Sequence, residues 1–124
     1  MNYFWAFVTG GAICVVGQLI LNGFTALDLS EQDAAAATSV SLVFLSAVLT
    51  GLSVYDDIAK FAGAGTLVPI TGFANAVVSP AIEFKAEGFV TGMAAKMFII
   101  AGPVIVYGTV ASVLYGLILV IFGG

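Results

Sequence analysis

Histidine and arginine are absent from the 124 residues, cysteine occurs once, proline three times, and only 8% of the chain is charged. Without histidine there is no imidazole to act as a general base. Without arginine, and with lysine confined to Lys60, Lys85 and Lys96, nucleic-acid binding has no electrostatic footprint. The single Cys14 excludes an intrachain disulfide and a cysteine metal cluster. Inside an apolar helix it reads as a small packing residue. Ile13 is too bulky for the small residue expected before a lipidated cysteine. The N-terminus lacks the basic region of a signal peptide, and its apolar run outlasts a signal sequence's hydrophobic stretch. Aspartyl chemistry would need two carboxylates converging within the membrane, whereas Asp56 and Asp57 sit at a helix end in loop-like sequence. No catalytic residue and no cofactor is expected.

What the chain does have is apolar surface. Hydrophobic residues make up 61% of it, far too many for a soluble domain of this size. The fold expected over residues 1–124 is a single all-α, polytopic membrane helix bundle. It comprises about three full spans plus a proline-broken or re-entrant helical hairpin. The net charge of −4 comes from a few loop carboxylates.

The first span is expected over residues 3–27, with Tyr3, Phe4 and Trp5 as an interfacial anchor. At helical spacing Gly11, Cys14, Gln18, Asn22 and Thr25 share one stripe. Gln18 and Asn22 are costly against lipid, so the stripe should turn toward protein or water. It serves either interhelical hydrogen bonding or the lining of a polar path.

Asp28 to Asp33 forms a short acidic loop in which Ser30 and Asp33 make a capping-box-like pair. The rival reading is a calcium-attracting rim. The second span follows over residues 31–55. Ser39, Ser46, Thr50 and Ser53 form a hydroxyl stripe there, and Ala47 with Gly51 offers a small-xxx-small contact. Close packing and solute lining both suit this face. Asp56, Asp57 and Lys60, followed by Gly63-Ala64-Gly65, read as a solvated loop, with divalent-cation binding the alternative.

Residues 67–84 are the broken segment. Pro69 and Pro80 bound a stretch with Gly72 and Asn75 in which only about two or three helical turns fit, too few to cross roughly 30 Å of hydrocarbon. Interrupted backbone at that depth must be sheltered by protein or by a water-filled cavity. The last span is expected over 88–122. Gly88 and Gly92 give a GxxxG spacing at its start and Gly102-Pro103 a place to kink. Lys96 either snorkels to the interface, faces a cavity as an anion site, or pairs with Glu83 or Glu87.

The block TGFANAVVSPAIEFKAEGFVTGMAAKMFIIAGPVIVYGT, residues 71–109, closely resembles the SpoVA membrane proteins of endospore-forming bacteria, in the branch containing SpoVAC and SpoVAE (SpoVAEb). The likeness also takes in Gly17-Gln18 and the acidic loop. Length and the immediate start of the first span fit SpoVAE better than SpoVAC. The resemblance implies a role in moving dipicolinic acid, with calcium travelling alongside it, across the spore inner membrane in sporulation and germination. It implies SpoVAC in the membrane and the soluble SpoVAD as partners, and a place in a homo- or hetero-oligomer. It supplies no catalytic residue.

Such a solute, a flat dianion or its near-neutral calcium chelate, suits a path of amides, hydroxyls and half-helix ends. The expected path residues are Asn75, Thr71 and Gly72, helped by Gln18, Asn22, Ser46, Thr50 and Lys96. Gly51, Gly88 and Gly92 are expected to pack helices. The competing expectation is a structural subunit scaffolding a conduit formed by other SpoVA proteins.

Overall fold

The computed structural model describes residues 3–123, and among them the regular structure is entirely helical. Three helical segments are long and apolar enough to cross a membrane: α1 (Tyr3–Ala26), α2 (Glu31–Gly51) and the 35-residue stretch Phe89–Gly123. That stretch opens with a π-helical turn, Phe89–Ala94, and continues as helix to Gly123. The chain is an all-α membrane helix bundle.

α1 ends where Asp28 takes a left-handed conformation (φ 61°), and the Leu27 and Asp28 amides close the last turn onto Phe24 and Thr25. Ser30 caps α2 as its spacing predicts. Its hydroxyl accepts from the Asp33 amide at 3.2 Å and donates to the Asp33 carboxylate at 2.7 Å. α1 and α2 therefore form an antiparallel hairpin, with Gly17 facing Leu42.

The second helix stops earlier than the expected Tyr55. It ends at Gly51, and Ser53 (φ 60°) turns the chain into a short amphipathic helix, α3 (Val54–Ala62). Asp56, Asp57 and Lys60 are thus helical rather than looped, though all three are exposed. α3 buries Tyr55 and Ala62 and packs on α1 and α2. Gly63 (φ 49°) then reverses the chain into a single turn, α4 (Ala64–Leu67). α4 crosses α1 at small residues: a Cβ on Gly65 would strike the Ala6 backbone, and Gly10 lies opposite Gly65.

Val68-Pro69 is the true interruption. Pro69 is extended (ψ 162°) and caps α5 (Ile70–Glu83), which has 14 residues and rises about 21 Å. Pro80 does not end this segment, contrary to the sequence expectation. It lies inside α5, which continues to Glu83. Proline is tolerated at such positions in membrane helices because surrounding elements absorb the lost hydrogen bond.

Ser46 meets Thr71 and Thr50 meets Asn75, so the two helices advance in the same sense where they touch. α5 therefore begins level with Ser46, about 7 Å inside the Gly51 end of α2, and runs back toward that end. This is a re-entrant arrangement: α4 goes in, α5 comes out.

Phe84 to Gly88 makes a tight turn, and Gly88 (φ 119°) opens the last helical stretch. Met93 reaches back to the Gly88 carbonyl in the i→i+5 pattern of a π turn. The helix is unbroken through Pro103. Its first turns pack on α5 and bury Gly92 and Ala101, whereas every residue from Pro103 to Gly123 is exposed. At 35 residues it extends about 52 Å, well beyond one hydrocarbon thickness.

Candidate functional site

The hydrogen-bonded centre of the molecule lies where α2, α3, α4 and α5 converge. Its floor is the last part of α2, where Ser46 and Thr50, one turn apart, are buried; Ala34 and Thr38 are buried nearer the start of that helix. Thr38 satisfies itself on the Ala34 carbonyl. Ser46, whose own helix offers the same option, instead donates across the interface to the Thr71 carbonyl. Thr50 lies within 2.8 Å of both the Ser46 carbonyl and the Asn75 side-chain oxygen.

Tyr55 closes the arrangement from α3. Its hydroxyl is 2.8 Å from the Thr66 carbonyl and 2.9 Å from the Thr71 hydroxyl. Burial pushes the phenol above its ordinary pKa, with the Thr71 hydrogen bond pulling the other way. It therefore stays a neutral donor across the physiological range. Thr66, fully buried, returns its hydroxyl to the Gly63 carbonyl. Gly72 is packed so tightly that a Cβ there would collide with the Thr66 and Leu67 carbonyls.

The cluster covers part of the interrupted backbone: Ser46 donates to the Thr71 carbonyl and Tyr55 to the Thr66 carbonyl. Among the described residues, every buried side-chain polar atom has a hydrogen-bond partner. Two features remain open. The Pro69 end of α5 has no side-chain cap: the Gly72 amide turns onto the Pro69 carbonyl, and the positive end of the dipole lies about 7 Å inside the Gly51 end of α2. Asn75 is half-buried, and among the described residues its amide nitrogen has no hydrogen-bond partner.

Of the residues read as path candidates, Ser46, Thr50, Thr71, Gly72 and Asn75 come together here. Gln18 and Asn22 do not. They lie on the exposed side of α1 and bond to each other at 2.9 Å. Lys96 sits elsewhere too, its ammonium 4.5 Å from the centroid of the Phe84 ring, a cation–π contact in place of a pairing with Glu83 or Glu87.

The glycines divide similarly. Gly92 packs against the Phe84 carbonyl and Glu87, so the GxxxG spacing serves a tight turn within the chain. Gly88 is needed for its positive φ. Gly51 is exposed, with Ile82 near it. Ser39 and Ser53 fall outside the buried face of α2. Sequence reasoning passed over Tyr55 and Thr66, and a tyrosine flanked by exposed carboxylates carries no local sign of burial.

Two peripheral features complete the electrostatics. Lys60 pairs with Asp57 at 2.8 Å on the exposed side of α3, and that hydrogen bond raises the lysine's pKa. Lys60 also lines an open cleft of about 430 Å³ with Tyr3, Ala6 and Phe61, where the start of α1 meets α3 and α4. No group of three or more acidic or thiol side chains placed to hold a metal occurs among the described residues.

No solved structure matches the chain. The family described as SpoVAC/SpoVAEB sporulation membrane protein matches residues 2–118. Among curated proteins the chain is similar to Stage V sporulation protein AC of Bacillus subtilis (strain 168), 47% identical over 121 residues, covering 94% of this chain and 81% of that protein. The preference for a SpoVAE-like member, read from length, gains no support from this relative. The interrupted helix, the three spans and these matches over almost the whole chain agree: the chain belongs to the SpoVAC/SpoVAEB family of sporulation membrane proteins.

Proposed function

We propose that this chain is a non-enzymatic subunit of a conduit that moves dipicolinic acid, with its calcium, across the inner membrane of the spore. The observation that carries the reading is the uncapped start of α5, set inside the Gly51 end of α2 about one turn from the Asn75 side chain. Backbone N–H groups at a helix N-terminus and a side-chain amide donor suit the carboxylates of a small dianion. They also impose no fixed charge on its neutral calcium chelate. The remaining walls of the path come from further chains, either copies of this one or SpoVAC, with the soluble SpoVAD docking at the membrane face.

Dipicolinate-loaded liposomes test this, with this chain reconstituted alone and then with SpoVAC and SpoVAD. Efflux is expected, falling in Asn75→Leu while the subunits still co-purify. Unchanged efflux in that variant removes Asn75 from the path. Failure of every combination to conduct overturns the conduit reading and leaves the competing one, a scaffold for a conduit built by other SpoVA proteins. The paired buried side chains of the cluster favour that second reading, because a network in which every buried side-chain polar atom has a partner is also what a rigid structural subunit needs.

A further inference from the structure

We propose that the face of α1 carrying Gly11, Cys14, Gln18 and Asn22 is an interface with a second copy of this chain. All four residues are exposed. α1 meets the rest of its own chain through other positions: Ala6 and Gly10 against Gly65, and Gly17 against Leu42. Gln18 lies only about 5 Å along the axis from the middle of the 24-residue helix, so a helix that spans the bilayer carries it well inside the hydrocarbon.

The bond between the two amides uses one N–H of Gln18 and the oxygen of Asn22. Among the described residues it leaves three amide N–H groups and the Gln18 oxygen without partners, and lipid tails offer none. Thr25, on the same face, satisfies itself on the Leu21 carbonyl, so the unmet demand belongs to the amides alone.

The occupant follows from the chemistry of that demand. An amide pair holds both donors and an acceptor, so it is its own complement, and a two-fold axis beside α1 lets each copy supply what the other lacks. The face is uncharged, so two copies meet without repulsion. Nothing lies within 4 Å of where a Gly11 side chain would begin, and Cys14 is small, so the backbones can approach one turn from the amides. The inference holds whichever solute the assembly carries.

The only cysteine of the chain is a built-in reporter. The full chain in lipid nanodiscs or native membranes is oxidised with copper phenanthroline and run without reductant. A species of twice the monomer mass is expected, absent in Cys14→Ser and abolished by prior thiol blocking. The paired change Gln18→Leu with Asn22→Leu should lower its yield by about tenfold, the loss of one to two interhelical hydrogen bonds. The swap Gln18→Asn with Asn22→Gln keeps both amides and should retain the dimer, which separates loss of the interface from failure to insert. No cross-link from Cys14 overturns the proposal, as does equal cross-linking in the leucine pair. Equal cross-linking from Ile20→Cys in a Cys14→Ser background, on another side of α1, overturns it too. A cross-link formed only with a different co-expressed membrane protein rejects the second copy as the occupant.

Discussion

Thr50, in the last turn of α2, lies 2.8 Å from the side-chain oxygen of Asn75, in the second turn of α5. The residues are 25 apart in sequence, and the neighbouring pair Ser46 and Thr71 has the same separation. Equal offsets in the same direction mean that a half-length helix runs alongside α2 and not against it. That one relationship makes the hairpin re-entrant.

Thr50→Val keeps the shape of the side chain and removes its donor. The Asn75 oxygen then loses its partner within the junction, and a loss of about 1 kcal/mol is expected. Thermal unfolding of the purified protein in detergent, followed by far-ultraviolet circular dichroism, should show a lower Tm. An unchanged Tm would mean that the contact contributes nothing.

Gly72→Ala should be among the most damaging small substitutions, with Gly65→Ala and Gly92→Ala, whose added methyl groups also meet backbone. At Gly72 the methyl group meets the Thr66 and Leu67 carbonyls, which are backbone and cannot swing aside. A loss of about 3 kcal/mol or more is expected, seen as poor yield of folded protein. Gly108→Ala has open space and serves as the control, neutral or stabilising by up to about 1 kcal/mol. Equal behaviour of the two variants would contradict the packing described here.

Side-specific thiol labelling in a Cys14→Ser background checks the topology. The turn after α5 should share a side with α3, so Ala86→Cys and Lys60→Cys are expected to label together. Leu29→Cys, between α1 and α2, should label from the opposite side. Lys60 and Lys85 lie at one end, together with Asp56, Asp57, Glu83 and Glu87, while the end with Asp28, Glu31 and Asp33 has no lysine. Since lysines and not acids set the bias, the lysine-bearing end is expected to be cytoplasmic. Labelling of Ala86→Cys together with Leu29→Cys would make α5 a crossing helix.

The Lys60–Asp57 pair should matter little. Asp57 raises the lysine's pKa, so any stabilisation is present below the ordinary lysine value and lost only as pH rises through the raised one. Both side chains are exposed, where water and salt screen the pair. Asp57→Asn is expected to leave Tm within experimental error at neutral pH, and a marked drop would point to a second role for Asp57.

Membrane residence, the all-helical architecture, the Ser30 cap and the break near Pro69 were legible in the residues alone. Each depends on local chemistry: hydrocarbon has no hydrogen-bond partners to offer, a hydroxyl three residues before an amide caps it, and proline lacks a donor. Direction and company were not legible. Periodicity places Gln18, Asn22, Ser46 and Asn75 on helix faces, yet only the path of the chain through Ser53, Gly63 and Pro69 sets which faces meet. That path brings Asn75 to Thr50, turns the α1 amides outward, and draws Tyr55 into the centre. A hydroxyl or amide in a membrane helix can be satisfied by its own backbone, by a neighbour or by another chain, and choosing among these takes the positions of atoms far away in sequence.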